Sequence, residues 1–350
     1  MKNGRFFFTS ESVCAGHPDK ICDRISDAIV DEVLRYDPQG RVAVETLVTK
    51  DKIILAGEVT SKTKVNYKRI AAREIKALGY TDPFLHFTYT SPILSHIHSQ
   101  SEEISVGVKK KGAGDQGMMF GFACNETPEY MPLPITLAHK LAQGIDEARE
   151  KQILPYIRPD GKSQVTIEYK NGKPVRVAQV VMAVPHQEKV KIQEVKGDIY
   201  KQIVLPVLSE FGFKIEKNDV ILNGTGVWHF SGPAADTGLT GRKIVVDTYG
   251  GYAKVGGGAF SGKDPTKVDR SGAYAARFLA KNIVAAGLAD RAEVSLAYFI
   301  GAKKPVMQEV ETFGTEKKSR KVILDFMNGL LDCSVEGILK GLNLRRPIYK

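Results

Sequence analysis

The strongest constraint on the fold is an internal repeat, because the same order of local patterns occurs three times: a helix, a hairpin and a second helix. In the first unit, apolar residues at helical spacing occupy 21–33. Two strand-like runs follow at 41–48 and 52–60, and a second helical pattern over 67–78 stops at Gly79, a suitable C-terminal cap. Repeated order predicts repeated packing.

The order returns twice more along the chain. In the second unit the two strands are joined through Asn171-Gly172, a strong hairpin signal because both residue types tolerate the backbone of a tight turn. Adjacent strands should pair antiparallel, with each sheet under two helices, and the three layers could share one central core. The sequence therefore predicts an α+β protein. The expected elements are helices at 135–150 and 188–208 with strands at 163–169 and 174–184, then helices at 271–287 and 319–331 with strands at 292–300 and 306–313.

Charge favours an anionic partner. Lys plus Arg number 50 against 40 for Asp plus Glu, which gives a net charge of +10 and favours nucleic acid, an anionic membrane or small polyanions. The densest basic runs, at 109–111 and 317–321, lack the interleaved aromatic residues of a nucleic-acid-binding stripe, so we interpret both as solvated faces. We therefore expect no nucleic-acid partner.

Compartment and redox state follow from what the sequence lacks. No stretch reaches the roughly 18 uncharged apolar residues of a membrane helix, and the apolar run near the N-terminus is too short for a signal peptide. We expect a cytoplasmic protein with no membrane partner. The four cysteines, Cys14, Cys22, Cys124 and Cys333, form no C-x-x-C pair, so buried reduced thiols are expected rather than a zinc site or disulfides.

Two long segments, 84–120 and 223–267, do not fit the repeat and are rich in glycine and polar residues, so the chemistry should be sought there. The stretch at 250–271, GGYAKVGGGAFSGKDPTKVDRS, combines glycines that let amides approach an anion with several cations. A polyphosphate is the favoured ligand, and a flexible linker is the alternative. A P-loop is disfavoured because Asp264 stands where a hydroxyl residue should follow the lysine, and no strand runs directly into Gly257.

Three further motifs carry groups suited to phosphate and metal. GHPDK at 16–20 precedes the first helix, where free amides form an anion site beside His17 and where Asp19 could carry Mg²⁺; a capped helix start is the alternative. GAGDQG at 112–117 places a carboxylate among glycines, and DTGLTGRK at 236–243 adds another carboxylate and an Arg-Lys pair. Motifs of serine hydrolases, zinc proteases and dinucleotide oxidoreductases are absent. The sequence predicts a metal-assisted polyphosphate site.

The same motifs resemble those of one family, the S-adenosylmethionine synthetases, also called methionine adenosyltransferases. GHPDK (16–20), GAGDQG (112–117), GLTGRK (238–243) and GGGAFSGKDPTKVDRS (256–271) occur in the order of that family. The likeness extends from TSES near the N-terminus to PIYK at 347–350, which is essentially the whole chain.

The resemblance implies three similar α+β domains, with antiparallel or mixed sheets each covered by helices, around a pseudo-threefold axis. It places the first domain at 1–99, a mobile gating loop at 100–111, the second domain at 112–229 and the third at 230–350, with segments exchanged between domains. It also implies a homodimer with active sites between subunits, possibly paired into a tetramer.

The implied reaction converts L-methionine, ATP and water into S-adenosylmethionine, phosphate and pyrophosphate. The sulfur attacks the ribose C5′, and the expelled triphosphate is then cleaved. A thioether is nucleophilic without losing a proton, so this first step requires no general base. It requires alignment of sulfur with C5′ and stabilisation of the charge that builds on the triphosphate, which cations and metal supply.

Motif by motif, the resemblance also implies roles for individual residues. Asp19 and Asp269 would hold Mg²⁺, with two ions per site, and Glu45 would be the carboxylate of a K⁺ site. The implied catalytic residues are His17, Lys162, Arg242, Lys263 and Lys267. The implied ATP contacts are His17, Asp160, Lys162, Trp228, Asp236, Arg242, Lys243, Ala259 and Lys263, and the implied methionine contacts are Glu58, Gln100, Asp236 and Lys267. Glu45 and Glu58 also suit a solvent-facing role, because they occupy alternating strand positions.

Three features depart from the family pattern. Val227 replaces an arginine that precedes the Gly-Gly-Pro of the family, while Trp228 could replace the phenylalanine as the adenine-stacking face. The segment 100–111 is shorter than the usual gating loop and carries three consecutive lysines. The sequence ends just after PIYK, and we expect this to spare the catalytic groups and to weaken packing or assembly.

Two other hypotheses stay open at this point. A basic nucleic-acid-binding protein would bind strands in a salt-sensitive manner without any dependence on methionine. A catalytically inactive relative, kept as a regulatory partner, is favoured only by Val227 and the shortened loop, since His17, the carboxylates and the phosphate-gripping cations are present.

Overall fold

The computed structural model of the protein describes residues 4–99 and 112–350, and it confirms the repeated helix and hairpin order. Within these residues the helices are α1 (Pro18–Tyr36), α2 (Tyr67–Ala77), α3 (Leu133–Glu150), α4 (Ile192–Ile199), α5 (Leu205–Glu210), α6 (Val268–Ala285), α7 (Arg320–Leu330) and α8 (Val335–Gly341). The strands are β1 (Arg5–Val13), β2 (Arg41–Thr49), β3 (Lys52–Thr60), β4 (Ile93–His98), β5 (Gly117–Cys124), β6 (Lys162–Lys170), β7 (Lys173–Ala183), β8 (Val220–Leu222), β9 (Gly238–Leu239), β10 (Arg291–Tyr298) and β11 (Met307–Glu311).

Each sheet combines one hairpin with a strand from a distant part of the chain. The strand orders are β4-β3-β2-β9, β1-β6-β7-β8 and β11-β10-β5. The N-terminal strand β1 therefore joins the second hairpin, β5 joins the third, and β9 returns to the first. The three α+β units interlock through these exchanges. The boundaries at 1–99, 112–229 and 230–350 stay a prediction.

The hairpins pair antiparallel as expected, but two added strands pair parallel, so two of the sheets are mixed. Strand β4 runs parallel to β3, and β8 runs parallel to β7. The sequence ILSHIH of β4 alternates weakly, and several of its side chains are exposed at the edge of the sheet, which is why its segment appeared irregular. The turn between β6 and β7 is as predicted, with positive φ at Asn171 (52°) and Gly172 (75°).

The core is divided among the three sheets. The buried apolar side chains form three main clusters, under β2–β3, β6–β7 and β5–β10, rather than the single shared core that the sequence suggested. The helix predicted at 188–208 is broken by a π-helical turn at Tyr200–Val204. All four cysteines are buried and free, as expected. In the described ranges, no helix has the length and apolar character to cross a bilayer.

The segment 223–267 is largely irregular, as predicted, and it is fixed to the first unit by short backbone contacts. Strand β9 pairs with the end of β2. Further along, the amide of Val44 donates to the carbonyl of Gly262 at 3.0 Å. Gly262 has a φ of +79°, and a Cβ there would lie 1.9 Å from the Val44 carbonyl oxygen, so only glycine fits this approach. This contact brings the glycine-rich stretch against the first sheet.

Candidate active site

His17 lies at the start of helix α1, and its imidazole is buried. It is the N-cap residue, and its Nδ1 accepts a hydrogen bond from the Asp19 amide at 3.2 Å. An accepting Nδ1 leaves the proton of a neutral ring on Nε2, and that atom is buried without a partner in the part of the chain that the structure describes. Burial, then the positive charges of Lys243 and Lys162, lower the His17 pKa to about 3. His17 is therefore a neutral, buried donor surrounded by cations.

Asp19 provides the negative charge beside this histidine. Its Oδ2 accepts from Lys243 Nζ at 2.5 Å, and its Oδ1 accepts from the Leu239 amide at 3.0 Å. The Arg242 Nε lies 3.7 Å from the same Oδ1. Burial alone would raise the pKa of this carboxyl, but the hydrogen bonds from Lys243 and Leu239 outweigh burial and lower it. Asp19 is therefore an ionised carboxylate that is paired with Lys243.

Sequence reasoning missed two carboxylates near the start of α1: Asp23, which binds the DTGLTGRK segment, and Asp247, which shares Lys20 with it. Lys20 Nζ lies 2.9 Å from Asp23 Oδ2 and 2.7 Å from Asp247 Oδ1. The amide of Gly241 donates to Asp23 Oδ1 at 2.8 Å. The signal was available for Asp23, which follows Lys20 by three residues on a helix, whereas Asp247 comes close only through the fold. We call His17, Asp19, Lys20, Asp23, Arg242, Lys243 and Asp247 the helix-entry cluster.

Lys162 and Asp160 reach this cluster through the pairing of β1 with β6. Val13 lies opposite Lys162 in the register, so the chain leaves β1 beside Lys162 just before it enters α1. Asp160 is buried and accepts from the amides of Gly161 at 2.7 Å and Gly232 at 3.0 Å. Burial outweighs these hydrogen bonds and raises the Asp160 pKa to about 7. The negative charge of the exposed Asp236 makes a smaller contribution to the rise in the Asp160 pKa, so Asp236 lies close enough to Asp160 to repel its charge.

A second set of charges surrounds the start of helix α6. Lys263 Nζ lies 2.5 Å from Asp269 Oδ2, and Lys267 Nζ lies 2.7 Å from the fully buried Asp264 Oδ2. The Asp264 carboxylate also accepts from the Val42 amide at 2.9 Å, which ties it to β2. We call Lys263, Asp264, Lys267, Asp269 and Arg270, together with Asp27 of α1, the glycine-segment cluster.

Arg270 is the anchor of the glycine-segment cluster, and its partner Asp27 was not singled out from the sequence. Two of its nitrogens donate to the two Asp27 carboxylate oxygens, each at 2.7 Å. The same guanidinium donates to the Lys263 carbonyl at 2.9 Å, and Asp27 accepts from the Gly262 amide at 2.9 Å. This buried pair fixes the backbone from which Lys263 projects.

An open cleft lies beside the glycine-segment cluster, between β2, β3 and residues 259–263. It has a volume of about 280 Å³, and its lining includes Glu45, Glu58, Ala259 and Lys263. Glu58 Oε1 lies 3.4 Å from His98 Nε2. The structure thus brings together four residues that were predicted separately. Gln100 and the gating-loop segment 100–111 lie outside the described residues.

The two clusters occupy different turns of α1. His17 and Asp27 are ten residues apart, which corresponds to roughly 15 Å along a helix axis. Asp19 belongs to the first cluster and Asp269 to the second. Among residues 4–99 and 112–350, no group of three or more His, Cys, Asp or Glu side chains is placed to hold a metal ion.

Trp228, the predicted adenine platform, is partly exposed in the loop that leads to Gly232. Its indole Nε1 donates to the Phe230 carbonyl at 2.8 Å, and the neighbouring Val227 is exposed. The Gly232 amide donates a hydrogen bond to the Asp160 carboxylate. This bond joins the loop of Trp228 to Asp160, the other predicted nucleotide contact.

Comparison with known families accounts for nearly the whole chain. Models of the N-terminal, central and C-terminal domains of S-adenosylmethionine synthetase match residues 5–102, 110–228 and 230–350. The chain belongs to the S-adenosylmethionine synthetase family. An S-adenosylmethionine synthase of Clostridium tetani (strain Massachusetts / E88) is 50% identical over 361 residues, covering 99% of this chain and 92% of that protein. The enzyme is therefore a methionine adenosyltransferase that makes S-adenosylmethionine from methionine and ATP, and its family generally depends on Mg²⁺ and K⁺.

Proposed function

We propose that the helix-entry cluster of one subunit and the glycine-segment cluster of a second subunit together form each active site of a homodimer, and that two such dimers can pair into a tetramer. The separation of the two clusters along α1 supports this arrangement, because one triphosphate must touch both sets of cations. The division of Asp19 and Asp269 between the clusters supports it too.

The buried Nε2 donor of His17 is the observation that carries the proposed mechanism. A neutral histidine can donate to a phosphate oxygen and has no charge of its own to be neutralised by Asp19. We assign it to the triphosphate oxygen next to C5′, where negative charge builds as the bond to carbon breaks. The sulfur of methionine attacks C5′ directly, and no residue needs to remove a proton.

Four cationic side chains also bind the triphosphate in the proposed active site. Lys162, Arg242 and Lys243 surround His17 and lower its pKa, which places their charges close to the proposed phosphate position. Lys263 comes from the second cluster, where Asp269 neutralises it until substrate binds. Retained triphosphate is then hydrolysed by a water molecule to phosphate and pyrophosphate before S-adenosylmethionine leaves.

The carboxylates fit magnesium when a polyphosphate completes the ligand set. Asp19 and Asp269 each hold a lysine ammonium at 2.5 Å, so both positions already accommodate a positive charge. Mg²⁺ in proteins commonly binds one or two carboxylates plus substrate phosphate oxygens, which agrees with two ions per site shared with ATP. When bound, these ions neutralise the triphosphate as it leaves. Glu45 in the open cleft would hold K⁺, for which its exposed carboxylate is suited.

Methionine and the nucleoside occupy the remaining predicted residues. Glu58, Gln100, Asp236 and Lys267 are assigned to the amino and carboxylate groups of methionine. Asp160, Ala259 and Trp228 are assigned to the nucleoside, with the indole face against adenine. The cleft that contains Glu58 and Ala259 supports the placement of methionine near the ribose, because both residues line one space.

The reaction is tested by mass spectrometry of products from ATP, methionine, Mg²⁺ and K⁺. We expect S-adenosylmethionine with phosphate and pyrophosphate in equal amounts. ATP consumption that is independent of methionine would contradict the assigned chemistry.

The shared site is tested by subunit complementation. His17→Ala and Lys263→Ala chains are each expected to be nearly inactive. When they are co-expressed and assort randomly, half of the dimers are mixed, and each mixed dimer has one site with both residues intact. About a quarter of the wild-type activity should return. If both residues served one site within a single chain, each site would carry a defect and no activity would return.

A further inference from the structure

The loop that carries Trp228 is anchored to a buried histidine. Trp228 is the single tryptophan of the chain, and no helix or strand holds it in place. Its backbone carbonyl accepts from the His186 amide at 2.9 Å. His186 is fully buried and forms an antiparallel bridge with Ile157. The backbone of His186 is therefore a rigid point to which the tryptophan loop attaches.

His229 makes a second attachment to the same residue. Its Nδ1 lies 3.0 Å from the His186 carbonyl oxygen. A carbonyl oxygen only accepts, so the Nδ1 of His229 must carry the proton. The two imidazole rings also contact each other edge to face, with centroids 4.7 Å apart. Residues 228 and 229 thus bind the amide and the carbonyl of one buried residue, Trp228 through its backbone and His229 through its side chain.

We infer that His229 is a positioning residue for the adenine platform: its hydrogen bond to His186 holds the Trp228 indole in the orientation that receives the base. The inference rests on the proposed stacking role of Trp228. The indole Nε1 bonds only within the same loop, to Phe230, so that bond does not fix the loop to the body of the protein. Preorganisation spares the enzyme the entropy of ordering this loop when ATP binds.

Three variants separate the hydrogen bond from the ring. His229→Phe keeps an aromatic ring against His186 and removes the donor. His229→Asn loses the ring and restores a donor, because the side-chain amide nitrogen of asparagine takes a position similar to that of Nδ1. The matched control is His86→Asn, since His86 contacts the same loop through the Phe230 ring at 5.4 Å and asparagine tolerates its φ of 48°.

Fluorescence of the sole tryptophan reports the platform directly. ATP should change the emission of wild-type enzyme, whereas inorganic tripolyphosphate, which has no base, should bind without that change. In His229→Phe we expect the ATP response to weaken and the KM for ATP to rise about fivefold, as expected for one lost hydrogen bond. The KM for methionine should stay unchanged, and His229→Asn should restore most of the ATP response.

The outcomes distinguish the inference from the proposal beneath it. If ATP leaves wild-type fluorescence unchanged, the stacking role of Trp228 is wrong, and the positioning role of His229 is wrong as well. If ATP changes wild-type and His229→Phe emission equally, with equal KM for ATP, the platform stands and the positioning role of His229 is overturned. If His229→Phe fails to fold, His229→Gln serves in its place, because its amide nitrogen lies too far along the side chain to replace Nδ1.

Discussion

The helix-entry cluster and the glycine-segment cluster contain similar side chains but differ in what the chain itself satisfies. In the glycine-segment cluster each cation has a carboxylate: Lys263 with Asp269, Lys267 with Asp264, and Arg270 with Asp27. In the helix-entry cluster, His17 keeps a buried donor without a partner among the described residues.

This difference indicates two ways to prepare a site for a polyanion. An unmade hydrogen bond at a buried donor costs stability in the free enzyme, and a phosphate oxygen recovers it. A paired lysine costs little in the free enzyme but must exchange its carboxylate partner for substrate. We therefore expect the first cluster to act chiefly on the transition state, and the second to contribute to the transition state through Lys263 and also to binding and to the rigidity of the loop.

The largest expected effect is on turnover. His17→Ala and Lys263→Ala should each lower kcat by about two to three orders of magnitude, because each removes a group directed at charge that develops on the triphosphate. Steady-state kinetics with far-UV circular dichroism measure this effect at constant fold. The exposed positions His96 and Lys318 supply matched controls, His96→Ala and Lys318→Ala, which should retain activity. Near-normal turnover in His17→Ala would show that the buried donor of His17 does not act on the transition state, contrary to what the comparison of the two clusters requires.

The second effect is on folding stability. Arg270→Met leaves Asp27 as an unpaired buried charge, which should lower the free energy of unfolding by about 3–5 kcal/mol in urea titrations. The exposed pair Lys151–Glu147 is the control, and Lys151→Met should change stability by less than about 1 kcal/mol. An Arg270→Met enzyme as stable as wild type would show that this pair does not hold the glycine-segment cluster together.

The third effect is a dependence of stability on pH. The pKa of His17 is about 3 in the folded chain and about 6.5 in an unfolded chain, so the unfolded state binds more protons between these values. The stabilisation by His17 is present above pH 6.5 and is lost as the pH falls toward 3. Wild type should lose about 2 kcal/mol more than His17→Gln between pH 6.5 and 5. Parallel urea titrations across this range would show no difference if His17 were protonated in the folded state.

The smallest effect concerns methionine. Lys267→Met should raise the KM for methionine about tenfold and leave the KM for ATP unchanged, because one charged contact to the substrate carboxylate is lost. Lys267→Met also leaves the buried Asp264 without its lysine, which should lower the free energy of unfolding, although Asp264 keeps hydrogen bonds from Val42 and Thr266. Far-UV circular dichroism verifies that the variant is folded before its KM values are compared. A rise in the KM for ATP instead would move Lys267 from the methionine contacts to the phosphate contacts.

Local sequence patterns predicted those helices, strands and turns whose signals lie within a few consecutive residues. The hairpins, the Asn171-Gly172 turn and helix α1 follow from apolar spacing and turn chemistry, which act over a few residues. The exchange of β1, β5 and β9 between hairpins had no local signal, because a strand sequence does not specify its partner. Strand β4 was missed for a related reason, since its exposed polar residues resemble those of a loop.

The sequence by itself determined the chemistry available to this protein: its glycines, cations and carboxylates, and through their motifs its family. Only the tertiary structure decided which charges neutralise one another and which donor stays free. Asp27 pairs with Arg270, which is 243 positions away in the sequence, and Lys20 pairs with Asp247, which is 227 positions away. Such pairs form because burial makes an unpaired charge costly, and burial is a property of the packed chain rather than of any segment.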